Sequence, residues 1–238
     1  MGKWKKWLSA GLFTAMLGTA IIAGPTADVS ANAGNKPYNI ENVSPDAQLA
    51  PSVGDSSSKT SSKAWHKIDG VCYNGSGKKV EGAITRGMDV SEWQGKINWK
   101  EAKKDLDFAF VRISYGTRHL DDYYDYNMTE AEAADVPVGT YVYSLAKTNK
   151  EALAEAQLAI RQMQGHKVSY PVAFDLEDEA TLGTLTRKEI SQIALTFCDE
   201  IRKAGYTPIL YMNLNWYNNF VDWNVLEGSG LDVWIASY

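Results

Sequence analysis

The sequence predicts an α/β fold in which a parallel sheet closes into a TIM-like (β/α) barrel. After residue 85, short apolar segments typical of buried strands alternate with segments of helical periodicity. Such alternation produces a parallel sheet, which is either doubly wound or closed into a barrel. Acidic and aromatic residues collect at the C-terminal ends of the strand segments, where barrel enzymes carry their active sites. This placement favours the barrel.

The strand segments are short, rich in apolar residues and bounded by turn residues. They cover residues 86–90, 108–113, 138–143, 172–176, 208–212 and 232–236. Helical spacing of apolar residues lies between them, over residues 98–104, 123–134, 150–164 and 187–204. The last helix is the clearest, because Thr186 and Glu189 form a capping box and Gly205 follows its end.

A closed eight-stranded barrel needs two more strands than these six segments supply. The sequence stops at Tyr238, directly after the sixth segment. We therefore expect an open edge between the sixth strand and the first. Either the sequence is a fragment or the barrel is incomplete.

Residues 1–33 have the pattern of a secretory signal peptide. Three lysines among the first six residues precede an apolar stretch over residues 7–23, and a small-x-small sequence follows at residues 31–33. The alternative is an uncleaved membrane anchor, but the Gly, Ser and Thr content of the stretch argues against it. We expect a protein exported to the cell exterior or the cell wall, without lasting membrane association.

Three further regions follow the predicted signal peptide. Residues 34–63 are rich in Ser, Asn, Pro and Gly and are predicted to form a disordered linker. Residues 64–84 are predicted to form a small β ornament with a hairpin turn at 74–77, or a fragment of a wall-binding repeat. Residues 85–238 remain as the catalytic domain. Cys72 and Cys198 could pair in an oxidising compartment, or stay free if Cys198 lies on the buried face of its helix.

Composition and charge exclude several classes of function. The 238 residues carry a net charge of −5 and no basic block beyond the N-terminus, so a nucleic-acid partner is not expected. The three histidines are scattered without ligand spacing, and no glycine loop of the phosphate-binding type is present. We expect neither a metal nor a cofactor, and a monomeric protein.

Asp175 and Glu177 end the apolar segment 170–174 and are the strongest functional signal. Alternate residues of a strand share a face, so the two carboxyl groups emerge on one side, about 6–7 Å apart along the strand. Acids this close shift each other's pKa, and one can stay protonated near neutral pH. That is the requirement of a glycosidase. The alternative is a charged strand end entering a solvated loop, since Asp178 and Glu179 follow.

Other strand ends add groups suited to a sugar. Asp89 could be a third carboxylate facing Asp175 across the barrel, or a cap for the loop that follows. Aromatic rings bind the apolar faces of sugars, and hydroxyls and amides bind their polar edges, although strand aromatics are often simply core residues. The candidate sugar-binding residues are Tyr141, Tyr143, Tyr211, Asn213 and Trp234.

Taken together, these segments resemble glycoside hydrolase family 25, the lysozymes or N-acetylmuramidases. The resemblance is carried by Asp89-Val90-Ser91 with Gln94-Gly95, by residues 107–112, by Asp121 with Tyr123 and Asn127, and by residues 136–141, 171–177, 211 and 234–238. Asp135 stands in a turn where this family usually has glycine. The family usually has another aspartate on its last strand, and this sequence ends before it, so we expect the last strands to be missing.

The resemblance implies a barrel of five βα units and three further strands that cleaves the β-1,4 bond between N-acetylmuramic acid and N-acetylglucosamine in peptidoglycan. Glu177 would be the general acid. Asp175 would stabilise positive charge on the sugar or orient its acetamido group, and Asp89 would hold the arrangement. Arg112 joins the sugar-binding candidates on the same ground. Similar enzymes are thought to retain configuration with the acetamido group as nucleophile.

Three other functions are compatible with parts of the pattern. A non-catalytic wall-binding module would keep the aromatic groove, although retention of Asp175 and Glu177 argues against it. A chitinase-type hydrolase would usually carry a further aspartate at the position of Ala173. A metal-using barrel such as a phosphodiesterase is disfavoured because no metal ligands cluster.

Overall fold

The computed structural model describes residues 6–9, 19–23, 66–74 and 77–236. The predicted linker over 34–63 and the predicted cleavage site at 31–33 lie outside the described residues. Among the helices described, none has the length and apolar character needed to cross a membrane. Export through a signal peptide stays a prediction.

The described residues form eleven strands, seven α-helices and a 3-10 helix at Glu92–Gln94. The strands are β1 Lys6–Ser9, β2 Thr19–Ala23, β3 His66–Ile68, β4 Val71–Tyr73, β5 Ala83–Val90, β6 Phe108–Tyr115, β7 His119–Leu120, β8 Val138–Tyr143, β9 Val172–Asp175, β10 Pro208–Asn213 and β11 Asp232–Ala236. The helices are α1 Trp99–Ala102, α2 Tyr124–Ala133, α3 Asn149–Met163, α4 Glu179–Leu182, α5 Arg187–Lys203, α6 Leu214–Asn219 and α7 Trp223–Leu226.

The six predicted strands are confirmed as neighbours in one parallel, curled sheet of order β5-β6-β8-β9-β10-β11. The four predicted helices are confirmed as α1, α2, α3 and α5. The capping box of Thr186 and Glu189 begins α5, and Gly205 follows its end with a φ of 91°. The sequence pattern missed α4, α6, α7 and β7, which have two to six residues and show a period only weakly, although it found α1, which has four.

Both edges of the six-stranded sheet carry a further strand from the N-terminal region. Strand β1 runs parallel to β11, and β2 runs antiparallel to β5. We expected an open edge between the sixth strand and the first. In the structure, the sixth predicted strand, β11, pairs with β1, and the first, β5, pairs with β2. Neither β1 nor β2 was predicted as a strand.

The two faces of the sheet bury different residues. The outer face packs against the helices and includes Val172, Phe174 and Leu176. The inner face fills the barrel with a separate cluster of Phe108, Phe110, Ala173, Ile209, Tyr211, Trp234 and Ala236. Ala173 and Asp175 alternate with the outward residues, so the strand pattern predicted the inward side of β9 correctly.

Two glycines make room for the aromatic rings inside the barrel. A Cβ atom on Gly87 would lie 2.0 Å from the Phe108 ring, and one on Gly139 would lie 2.6 Å from the Phe110 ring. Neither contact is possible for real atoms, so both strands need glycine there. The small residues allow the two phenylalanines to close the lower end of the barrel beneath the acidic groups.

The ornament is a two-stranded hairpin of β3 and β4. Its turn is Asp69-Gly70, with φ values of 50° and 79°. An Asp-Gly pair is typical of tight hairpin turns, but the sequence analysis did not identify this one. The central residues of the predicted turn at 74–77 lie outside the described residues, but on either side of them the Gly77 amide donates to the Asn74 carbonyl at 2.9 Å. Lys67 joins the ornament to Asp107 through an ion pair of 2.9 Å.

Two smaller expectations have clear outcomes. Cys72 and Cys198 are both buried and free, which is the second of the alternatives left open. Asp135 adopts a φ of 56° in its turn, so aspartate occupies the left-handed conformation that glycine adopts without strain.

Gly87→Ala is expected to lower the free energy of unfolding by about 3 kcal/mol, the upper part of the range for an overpacked core. The cause is the contact between the added methyl group and the Phe108 ring, so Gly87→Ala combined with Phe108→Leu should cost less than the sum of the two single changes. Urea unfolding of the four proteins measures this coupling. Additive costs would contradict the close packing.

Candidate active site

Asp175 and Glu177 lie together at the C-terminal end of β9. Asp175 is the last residue of the strand and is 3 % exposed, whereas Glu177 is partly exposed in the loop that follows. Asp175 Oδ1 and Glu177 Oε1 are buried and have no hydrogen-bond partner among the described residues. Buried carboxyl oxygens are normally bonded, so an unbonded pair at a strand end is available to a ligand.

Burial disfavours the ionised form of both acids. It raises the pKa of Asp175 well above its ordinary value, and the charges of Glu177 and Asp89 raise it further. Burial raises the pKa of Glu177 to about 7, although Asn213 donates to its carboxylate from the backbone and from the side chain. Both shifts favour a protonated form of the pair, which is the direction that the sequence analysis expected for one of the two acids.

Five of the predicted residues line one pocket inside the barrel mouth. Its accessible volume is only about 20 Å³, enough for one water molecule. The Trp234 indole Nε1 is buried there without a partner among the described residues, and the Tyr211 ring meets the Trp234 ring edge-on at 4.7 Å. The lining residues are Asp89, Tyr141, Asp175, Tyr211 and Trp234.

Asp89 faces Asp175 and is not the cap of the following loop. The 3-10 helix after β5 is capped by Ser91, whose Oγ accepts from the Trp93 amide at 3.4 Å. Burial raises the pKa of Asp89 to about 6, and its own backbone amide opposes the shift. The pocket therefore holds a third carboxyl group that is readily protonated.

Tyr143 belongs to a cluster that the sequence analysis missed in part. Its ring stacks on Tyr115 with centroids 4.8 Å apart, and Tyr115 keeps 38 % of its surface exposed. Both hydroxyls donate to Asp178 Oδ2, at 3.4 Å from Tyr143 and 3.2 Å from Tyr115. Asp178 also begins α4 by accepting from the Thr181 amide at 2.7 Å. An aromatic face thus lies next to Glu177.

The predicted strand segment ended at residue 113, so Tyr115 lay outside it, and strict alternation along the observed β6 would place Tyr115 on the outer face. An irregularity between Arg112 and Ser114 shifts the register with β8, so that Tyr115 pairs with Tyr143. A bulge of this kind has no clear sequence signal.

Asn213 and Arg112 are bonded to other protein residues: Asn213 to Glu177, and Arg112 to two acidic residues beside the site. The Asn213 side chain also accepts from the Trp216 amide at 3.0 Å, which begins α6. Arg112 is buried, and its guanidinium donates to Asp121 at 2.9 Å and to Glu92 at 2.7 Å. Asn213 thus adjusts Glu177, and Arg112 secures the loop after β5. Direct contact of either residue with a sugar stays a prediction.

Comparison with known proteins identifies the family. The model of glycosyl hydrolases family 25 matches residues 88–238. The chain belongs to this family. Among its relatives is the Escherichia coli K12 protein named "Uncharacterized protein YegX", 26 % identical over 166 residues that cover 64 % of this chain and 56 % of YegX. Lysozyme M1 of Streptomyces globisporus is 38 % identical over 60 residues, or 25 % of this chain and 20 % of its own length.

The family 25 fold is also found among solved structures. The modular autolysin LytC of Streptococcus pneumoniae, solved with a synthetic peptidoglycan ligand, superimposes with a TM-score of 0.59 and 22 % identity. The match covers 73 % of this chain and 43 % of the LytC chain. The chain spans about half the length of the curated relative YegX, which it matches over most of its own length.

The family 25 site of this chain combines three chemical capacities. Glu177 is protonated up to about neutral pH and has one unbonded oxygen, so it can donate a proton. Asp175 and Asp89 can stabilise a positive charge close to that proton. The aromatic residues around the pocket offer apolar faces to a sugar ring.

Glu177→Gln is expected to stabilise the protein at high pH and not at low pH. The folded-state pKa of Glu177, about 7, lies above its ordinary value of 4.5, so the wild type loses stability as pH rises from about 4.5 to above 7. Glutamine cannot ionise, and the variant should gain about 1–2 kcal/mol relative to wild type between pH 4 and pH 8.

Urea unfolding at pH 4, 6 and 8 measures this difference. Glu179→Gln is the matched control, because Glu179 lies two residues further on and is exposed. A stability difference that does not change with pH would contradict the placement of Glu177 in a site of low polarity.

Proposed function

We propose that the chain hydrolyses the β-1,4 bond between N-acetylmuramic acid and N-acetylglucosamine in bacterial peptidoglycan, with Glu177 as the general acid. The observation that carries the proposal is the pair of buried, unbonded carboxyl oxygens of Asp175 and Glu177 at one strand end. A raised pKa on the more exposed member of such a pair is the property that an acid catalyst of glycoside cleavage needs.

Glu177 transfers its proton to the glycosidic oxygen as the bond to the anomeric carbon breaks. Positive charge then develops on the sugar ring, next to Asp175. Burial disfavours the Asp175 carboxylate in the free protein more than the charge of Arg112 favours it, so the new positive charge shifts Asp175 toward its ionised form. Stabilisation that grows along the reaction lowers the barrier more than uniform binding would.

Asp175 has a second possible role, because it can accept from the acetamido N–H of the reacting sugar. The acetamido oxygen would then attack the anomeric carbon, and water would open the resulting ring with Glu177 as the base. Both roles use the same oxygen, Asp175 Oδ1, and both leave Glu177 as the group that gives up and regains a proton.

The glycan itself lies across the mouth of the barrel. The pocket beneath accepts about one water molecule, so a whole sugar ring cannot enter it. The exposed face of Tyr115 can stack on a neighbouring pyranose ring, while Asp178, the residue after Glu177, holds the tyrosine pair in place.

Two relatives support this substrate. Lysozyme M1 carries the activity in its name, and the LytC structure contains a synthetic peptidoglycan ligand. The predicted signal peptide over residues 1–33 would bring the chain to the cell wall, where peptidoglycan is found.

Digestion of purified peptidoglycan tests the proposal directly. The wild type should release new muramic acid reducing ends, and Glu177→Gln should reduce their rate of release about a thousandfold, the scale of general acid catalysis. Asp175→Asn should cost less, because it keeps Glu177. Glu179→Gln is the control and should cleave at the wild-type rate.

Two other results of the digestion would assign a different function, and a third would exclude Glu177. Glucosamine reducing ends would identify a chitinase-type bond preference, and wall binding without new ends would identify a binding module. Wild-type activity in Glu177→Gln would exclude this residue as the acid.

Asn213→Ser is expected to move the alkaline limit of activity to higher pH. Serine can still begin α6, but it is too short to donate to Glu177, so the ionised form of Glu177 loses a stabilising bond and its pKa rises. A general acid must be protonated, and kcat/KM should therefore persist to higher pH than in wild type. A pH profile measured from pH 5 to 9 shows the shift, and a limit that moves to lower pH would contradict the role of Asn213.

A further inference from the structure

Glu155 is a buried acid that the reaction does not use. It lies on the inner face of α3 and is 2 % exposed, among the buried alanines Ala152, Ala156 and Ala159. A buried carboxylate is costly unless hydrogen bonds stabilise it. Its two partners are therefore the first clue to its role.

Both oxygens of Glu155 bind the loop after β8. Oε1 accepts from the Leu145 amide at 2.9 Å, and Oε2 accepts from the Ser144 hydroxyl at 2.8 Å. Ser144 Oγ also accepts from the Ala146 amide at 3.2 Å, so its single hydrogen is left for Glu155. Glu155 thus fixes Ser144 and Leu145 directly, and it fixes Ala146 through Ser144.

The same loop is bonded to the acidic pair. Ser144 follows Tyr143, the last residue of β8, and its amide donates to the carbonyl of Asp175 at 3.0 Å. The Asp175 carboxyl has an unbonded Oδ1, so its position depends on the backbone that carries it. Gly116, next to Tyr115, donates to the Tyr143 carbonyl at 2.8 Å and connects the tyrosine pair to the same loop.

We propose that Glu155 is a positioning residue for the reaction: from outside the barrel it fixes Ser144, and Ser144 fixes Asp175. The inference rests on the proposed hydrolysis for its effect on rate. Glu155 is joined to Ser144 by one side-chain bond, and Ser144 is joined to the Asp175 carbonyl by a backbone bond, so changing either Glu155 or Ser144 weakens the same side-chain bond and loosens the same backbone.

The first test compares Glu155→Gln, Ser144→Ala and the double variant in the full chain. An error of about 1 Å in the placement of a reacting group can cost up to a hundredfold in rate, and we expect kcat on soluble peptidoglycan fragments to fall about tenfold in each single variant, with KM within about twofold. The double variant should lose no more than either single one, because both single changes act on the same bond between Ser144 and Glu155.

Glu151→Gln is the matched control. Glu151 lies one turn earlier on α3 and also binds the loop, through the Lys147 amide at 2.8 Å, but it does not contact Ser144. We expect its kcat to equal that of wild type. Equal losses in Glu151→Gln, independent effects that add in the double variant, or an unchanged kcat in Ser144→Ala would each overturn the proposal.

A spectroscopic measurement separates this inference from the proposed function. The carboxyl ¹³C resonance of Asp175, assigned by its loss in Asp175→Asn, should shift in Glu155→Gln and in Ser144→Ala but not in Glu151→Gln. If the wild type does not cleave peptidoglycan, the proposed function fails and this resonance alone decides the inference. If Glu155→Gln does not fold, Ser144→Ala, which removes only one hydroxyl, decides it.

Discussion

The site depends on the burial of the Asp175 side chain above an apolar barrel interior. The inward face of β9 continues below Asp175 as Ala173, which packs with Phe108, Phe110 and Trp234. A carboxylate in such surroundings is poorly solvated, and among the described residues no cation is bonded to it, although the charge of Arg112 favours its ionised form. The protein therefore favours the protonated form of the pair until a substrate brings positive charge. The ionised form of Asp175 is thus more stable when positive charge develops on the substrate than it is in the free protein. This gain in stability is free energy that the site can use for catalysis.

The acids are held mainly by the backbone around them. Asn213 at the end of β10 donates to Glu177, and Ser144 at the end of β8 donates to the Asp175 carbonyl. Asn213 and Ser144 stand at the ends of the two strands on either side of β9. The curvature of the sheet therefore sets the distance between them. That curvature requires close packing inside the barrel, which Gly87 and Gly139 permit by leaving space for two aromatic rings. A packing change at the closed end can thus reach the acids at the mouth.

Local periodicity was enough to predict the six central strands, the helices α1, α2, α3 and α5, and the inward direction of Asp175. It could not predict features that depend on register or on tertiary contacts. Tyr115 was missed because the predicted strand segment ended at residue 113, and because an irregularity in β6 pairs it with Tyr143. A solvated loop at Asp178 was left open as an alternative, whereas Asp178 is buried and binds two tyrosines. The role of Glu155 depends on which loop packs against α3, and a single helix pattern does not contain that information.

Glu155 and Glu177 show why a raised pKa alone does not identify an acid catalyst. Burial raises the pKa of each to about 7. Both oxygens of Glu155 are bonded and its side chain is sealed beneath α3, so a proton on it cannot reach a substrate. Glu177 is partly exposed and keeps Oε1 unbonded at the mouth of the barrel. A residue that transfers a proton needs a raised pKa, access to the substrate and a carboxyl oxygen without a protein partner. Glu177 has all three, whereas Glu155 has only the raised pKa and holds the surrounding structure in place.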